Sequence, residues 1–269
     1  MSQNAVLWNV DGRGVATVTL NRPQVNNAYD EDLIQGLHDA MDALGGQRGP
    51  RVVVLRGEGR QFQAGADLKW INRVAGQPPV ENERVSRLTA TAVHRLNNLP
   101  VPTVALVQGG CFGGGTGIVA ACDVVIAAGN ALFSIAETRW GLTPAIIQPQ
   151  LADAIGVRQV RRYALTGERF GAEEARRIGL VHEVVPVDGL AAAGERIVEQ
   201  LLQNAPDANA QTKAVALEFA FGRVEEAVLA RLAAQHAAKR RSAEATEGLA
   251  SFAEKRPAKW FPATKPAGE

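Results

Sequence analysis

The chain has 269 residues, 46% of them hydrophobic, and a formal net charge of +1, enough to bury a sizeable core and too little charge for a long-range field. Near neutrality argues against nucleic acid or an anionic membrane as partner and in favour of a small molecule. Two cysteines, Cys111 and Cys122, make no disulfide framework, and no run approaches the ~18 apolar residues of a membrane span. The start, Met1 to Asn4, lacks a basic segment backed by an apolar one, so a cytoplasmic protein without processing is expected.

Val6 to Val10 and Val15 to Leu20 flank the turn residues Asp11-Gly12-Arg13-Gly14, which predicts an antiparallel hairpin. Asp30 can cap a helix whose apolar residues Leu33, Ile34, Leu37, Met41 and Leu44 recur at helical spacing until Gly45-Gly46 stops it. A strand over Val52 to Arg56 follows. The next round runs through a helix near Val85 to Leu96, a break at Pro100-Val101-Pro102, a strand from Thr103 to Gln108, a helix through Ala121 and a strand from Val124 to Ala127. A third has Ala131 to Ser134 extended, Arg158 to Leu165 and Glu173 to Ile178 helical, and Val181 to Val185 as a strand. This alternation is the α/β signature. From Leu190 the composition is helical, with breaks at Pro206 and Gly222, a basic and aromatic segment from Lys255 to Phe261, and fraying expected after Pro262. The expected organisation is a core over residues 1–200 and a C-terminal helical region over 201–269.

Two glycine-bearing segments, each after a strand pattern, concentrate the chemistry: Phe62-Gln63-Ala64-Gly65-Ala66-Asp67-Leu68-Lys69 and Gly109-Gly110-Cys111-Phe112-Gly113-Gly114-Gly115-Thr116-Gly117. Glycines there leave amides unshielded, and a helix starting at Gly114 aims its N-terminus at whatever binds, so two such amides could hold a developing oxyanion. Gly115, Gly117 and Ala120 also match G-x-G-x-x-A after a strand. A dinucleotide site expects an acid at the end of the next strand, and that strand ends in Ala127-Ala128-Gly129-Asn130.

The two segments resemble the crotonase (enoyl-CoA hydratase/isomerase) family, and the match runs from Asn21-Arg22-Pro23 to Val181-His182-Glu183-Val184-Val185. It takes in Ala121-Cys122-Asp123, Phe133-Ser134-Ile135-Ala136-Glu137, Gly141-Leu142-Thr143-Pro144 and Leu165-Thr166-Gly167-Glu168-Arg169-Phe170, in family order. The resemblance implies a spiral of strand-strand-helix repeats with C-terminal helices that make trimers, often paired into hexamers. It implies an acyl-CoA substrate, with coenzyme A as part of that substrate and no separate cofactor. By position, the oxyanion amides fall on Ala66 and Gly114 and the acid/base on Glu137. Arg22, Ala64 and Leu68 fall on CoA contacts, and Phe252 and Lys255 on tail residues that reach the nucleotide end of CoA on a neighbouring subunit.

Family hydratases usually carry a further glutamate at the position occupied here by Gly117. One carboxylate must then do more, whether it adds water across a conjugated double bond or moves a proton between the α and γ carbons as an isomerase. Gly117, with Pro144-Ala145-Ile146-Ile147, is similar to the glutaconyl-type members, whose substrates are branched and carry a far carboxylate, and Gly117 is expected to leave room for the branch. Gly115 to Val119, Arg139-Trp140-Gly141 and Gln148-Pro149-Gln150-Leu151 favour isohexenylglutaconyl-CoA of acyclic terpene breakdown over methylglutaconyl-CoA of leucine breakdown. The competing class is an acyl-CoA binding protein without turnover.

The remaining candidates take structural roles. Asp67 is expected to cap the helix after it. His38, His94, His182 and His236 have no metal-ligand spacing, so no metal is expected, and neither Ser134 nor Cys111 has a nucleophile's setting. Trp70 and Trp140 suit pocket or core walls. Arg161-Arg162 and Lys239-Arg240-Arg241 suit solvated helix faces.

Overall fold

The computed structural model describes residues 4–46, 49–218, 220 and 225–259. The expected break at Gly222, the aromatic pair Trp260-Phe261 and the terminus after Pro262 lie outside the described residues.

Strands β1 (Val6–Val10) and β2 (Val15–Leu20) form the predicted hairpin, closed by Asp11, whose Oδ1 accepts from the amides of Arg13 and Val15 at 2.9 Å each. Helix α1 (Glu31–Leu44) starts where the Asp30 carboxylate accepts from the Leu33 amide at 3.1 Å and ends at Gly45. Its predicted apolar stripe is buried. Strand β3 (Val52–Gly57) lies parallel to β2 and is buried at five of six positions, as a strand covered on both faces must be. Then follow α2 (Leu68–Ala75), capped by Asp67 as expected, and α3 (Pro79–Asn97).

The middle of the chain supplies β4 (Thr103–Val107), β5 (Gly110–Phe112), α4 (Gly114–Ala120), β6 (Val124–Ala128), β7 (Leu132–Ser134) and a 3-10 turn over Glu137–Trp140. After it come α5 (Gln148–Thr166), β8 (Arg169–Gly171), α6 (Ala172–Arg177) and β9 (Glu183–Val185). Helices α7 (Leu190–Gln203), α8 (Pro206–Glu218), α9 (Glu226–Arg240) and α10 (Ala243–Ala253) complete the described chain.

The strands make a six-stranded sheet in the order β1-β2-β3-β4-β6-β9, parallel beyond the hairpin, and a three-stranded sheet in the order β5-β7-β8. Single bridges pair Tyr29 with Ala66 and Gln63 with Cys111, and Cys111 pairs with Phe133 and Phe133 with Phe170. Each turn of chain thus places a strand in the large sheet, a short segment in the small one, and then a helix. That is a spiral of strand-strand-helix repeats.

Three expectations need correcting. Helix α5 begins at Gln148, ten residues before the predicted Arg158, because non-helical Gly156 (φ +72°) kinks it and breaks its period. Strand β9 begins at Glu183 rather than Val181, since the His182 side chain instead accepts from the Val125 amide at 3.0 Å. Arg240 is not on a solvated face: it is 1% exposed, donating from Nε to Asn82 Oδ1 at 2.8 Å between α9 and α3.

Candidate active site

The small sheet brings the two glycine segments together. The Gln63 amide donates to Gly110 O at 3.0 Å and the Phe112 amide to Gln63 O at 2.9 Å. Within the first loop the buried Gln63 side chain spans its own turn, with Nε2 donating to Gly65 O at 3.0 Å and Oε1 accepting from the Gly65 amide at 2.9 Å. A Cβ on Gly115 would lie 2.5 Å from that Oε1, so the second loop requires glycine there to seat the first. Asn27 clamps the base of the arrangement, its Nδ2 donating to the carbonyls of Glu58 and Gln61 at 2.9 Å each. Asn27 and Tyr29 carry no mark in the sequence, because each bonds backbone atoms distant along the chain.

The outcome is two idle donors. Asp67 N binds Tyr29 O, Gly65 N binds Gln63 and Gly113 N binds Ser134 O, whereas the amides of Ala66 and Gly114 donate to no protein acceptor among the described residues. Gly114 opens α4, so its N–H has no partner within the helix. Glu137 opens the 3-10 turn that ends at Gly141 (φ +70°), and the bond from Gly113 N to Ser134 O, at 2.9 Å, ties the strand before that turn to the second glycine loop. A Cβ on Gly113 would stand 3.2 Å from Glu137 Oε1 and 3.9 Å from Gly65 Cα. The carboxylate therefore lies against the Gly113 loop, where the first loop also comes close.

Ala66, Gly114 and Glu137 line one cavity of about 670 Å³ together with Ala64 and Leu68. Its walls are mostly aliphatic, including Leu33, Ile34, Leu37, Val93, Ile118 and Ile147. Glu137 Oε2 is buried without a hydrogen-bond partner, and burial pushes the carboxyl up to about 7, against a smaller downward pull from its own backbone N–H. The other acid in the wall, Asp67, is committed: Oδ1 accepts from the Lys69 and Trp70 amides at 3.0 and 3.1 Å. Tyr29 lines the wall, and burial, with the Glu137 charge second, pushes its hydroxyl up to about 12.

Gly117 does not leave the room expected of it. A Cβ there would lie 2.2 Å from Ile147 Cγ2 and 2.5 Å from Ile147 Cβ, so the side chain of Ile147 fills the space and shuts out a second carboxylate.

The residues matched to CoA contacts divide. Ala64 and Leu68 line the cavity, but Arg22 is outside its described wall: its guanidinium meets Asp30 at 2.7 Å and Asp67 at 3.7 Å, linking the caps of α1 and α2. Phe252 packs edge-on against Trp140 of its own chain, ring centroids 4.4 Å apart, and lines the cavity. Lys255, just past α10, is exposed and outside the described wall. His236 and Leu249, neither predicted for the site, also line it. No group of His, Cys, Asp and Glu among the described residues could hold a metal.

A spiral α/β fold here sets two idle amides and a buried carboxylate in the wall of one cavity. The sequence profile described as Enoyl-CoA hydratase/isomerase matches residues 11–262. The chain is 35% identical over 196 residues to hydroxycinnamoyl-CoA hydratase-lyase of Pseudomonas fluorescens, covering 72% of this chain and 71% of that protein. It is 31% identical over 256 residues to the mitochondrial Δ(3,5)-Δ(2,4)-dienoyl-CoA isomerase of Dictyostelium discoideum, covering 91% and 87%. A crystal structure of an enoyl-CoA hydratase from Mycobacterium avium subsp. paratuberculosis superposes with a TM-score of 0.84 at 30% identity, covering 96% of this chain and 99% of that one. The chain belongs to the enoyl-CoA hydratase/isomerase family, whose members act on acyl-CoA thioesters.

Proposed function

We propose that this protein adds water across the conjugated double bond of a branched 2-enoyl-CoA, a 3-substituted glutaconyl-CoA, with isohexenylglutaconyl-CoA of acyclic terpene catabolism ahead of methylglutaconyl-CoA of leucine catabolism. The observation that carries the reading is the free, buried Glu137 carboxylate beside the two idle amides. The thioester oxygen accepts from Ala66 and Gly114. Glu137 takes a proton from water as its oxygen bonds to the β carbon, and returns that proton to the α carbon of the enolate, so one carboxylate serves both transfers. A carboxyl near 7 suits both roles at neutral pH.

The aliphatic wall supports a long apolar branch over a methyl group, whose burial alone gains about 0.8 kcal/mol per CH₂. We assign no cofactor beyond the CoA of the substrate, and a homotrimer or a hexamer of paired trimers in the cytoplasm. No described helix is long and apolar enough to cross a membrane.

One observation favours a second reading: with Ile147 excluding another acid, a single-base isomerase moving a proton from the α to the γ carbon needs nothing more. A panel of thioesters separates the two. Loss of enoyl absorbance with branched glutaconyl-CoA thioesters supports hydration, and preference for a short unbranched enoyl-CoA sinks the glutaconyl assignment. Gain of conjugation from a 3-enoyl-CoA without water uptake selects the isomerase, and no turnover on any member selects a binding protein.

A further inference from the structure

Behind the aliphatic wall, between α3 and α9, lies a polar chain that the hydration chemistry does not use. Arg240 is 1% exposed and no carboxylate among the described residues pairs with it. Its guanidinium donates to Asn82 Oδ1 at 2.8 Å, Asn82 O at 3.1 Å and Ser86 Oγ at 2.5 Å. Ser86 Oγ in turn lies 3.1 Å from His236 Nδ1. A buried arginine without an anion costs free energy.

The chain of bonds offers the histidine's Nδ1 a proton. A guanidinium only donates, so the Ser86 oxygen accepts from Arg240 and its single hydrogen is available to His236 Nδ1 at 3.1 Å. Burial first, and the Arg240 charge second, push His236 down to about 3, so the ring is neutral, and with Nδ1 accepting from Ser86 its one proton is on Nε2. His236 is 6% exposed, lines the cavity, and makes no other hydrogen bond among the described residues. The result is an N–H donor with no protein acceptor among the described residues, backed by a positive charge that no described carboxylate pairs with, in a mostly apolar wall that also carries Lys69 and Arg169.

We infer that His236 Nε2–H, oriented by Ser86 and polarised by Arg240, binds a carboxylate carried by the acyl group away from its thioester. The uncompensated charge of Arg240 selects an anion over a neutral oxygen. The inference rests on the glutaconyl reading for its natural substrate and supplies that reading with the group that would recognise the far carboxylate. An acyl group without that acceptor should be rejected strongly, because the buried N–H would then go unpaired.

The test uses binding of unreactive saturated thioesters, so that it stands apart from turnover. Glutaryl-CoA and 5-methylhexanoyl-CoA have the same shape, and differ in ending on a carboxylate or an isopropyl group. By calorimetry, the wild-type chain is expected to prefer glutaryl-CoA by roughly 30-fold or more. His236→Phe should bring the ratio of affinities close to unity, Ser86→Ala should lower it, and His236→Gln, whose amide keeps a donor near the place of Nε2, should retain much of it. A wild-type ratio near one, or a ratio unchanged in folded His236→Phe, overturns the inference. A ratio lost equally in His236→Gln and His236→Phe also overturns it, since a merely structural role would behave so. A high ratio in a protein that hydrates no glutaconyl-type thioester would refute the proposed reaction and leave the carboxylate site standing.

Discussion

Glu137 is held in a state that costs the folded chain stability. Burial raises its carboxyl from 4.5 to about 7, so the folded chain binds a proton that the unfolded chain has already released across that window. Stability contributed by the protonated form is complete below about 4.5 and is lost as pH rises through about 7. Glu137→Gln removes the titration. Its melting temperature relative to wild type is therefore expected to be higher at about pH 8 than at about pH 5, and equal differences at both would refute the burial account. The same variant should lose ~100 to 10,000-fold in turnover. In wild type, kcat/KM for hydration should rise with pH through about 7 as the carboxylate forms, and a profile that falls there would remove Glu137 as the base.

A second residue-scale expectation concerns the missing acid. A carboxylate cannot simply be restored at position 117, because Ile147 already occupies the site. Gly117→Glu alone should destabilise by ~1 to 3 kcal/mol or more through overpacking. Adding Ile147→Ala should recover part of that loss, a coupling that denaturant unfolding of the four members of a double-mutant cycle would register. Additive effects would mean that the two side chains do not compete. Gly117 was visible in the sequence as a departure from the family pattern. Its partner was not, since position 147 lies thirty residues on and meets it only when the chain folds back.

At the scale of elements, the turn carrying Glu137 is held from outside by α10. A Cβ on Gly248 would lie 2.3 Å from the Trp140 carbonyl group, and one on Gly141 would lie 2.3 Å from that of Glu244. Helix and turn thus meet backbone to backbone through two glycines. Gly248→Ala should push the helix off the turn, costing ~1 to 3 kcal/mol of stability and shifting Glu137 from the idle amides. Thermal unfolding and turnover should fall together, and a variant with lowered melting temperature but intact kcat would separate α10 from the catalytic turn. The helical period and the caps of α1 and α2 could be read directly from residues because both are local. The two short glycines were opaque, since what they touch is settled only when the chain returns.

For the whole molecule, the proposed trimer or hexamer predicts a sedimenting species of three or six chains, and a stable monomer would refute it. Family, spiral order, the Glu137 position and the two amide loops all lay within local stretches: strand and helix periods, caps, glycines after strands. What only the tertiary structure decided was which groups are free and which are occupied. Asp67 and Arg22 are occupied by caps, Ile147 fills the space beside Gly117, and α9 and α10 return to wall the cavity of their own chain. The buried charge of Arg240 belongs to this second kind. A run of basic residues reads as a solvated face until packing closes over it, because burial depends on contacts between α3 and α9, far apart in sequence, and not on the run itself.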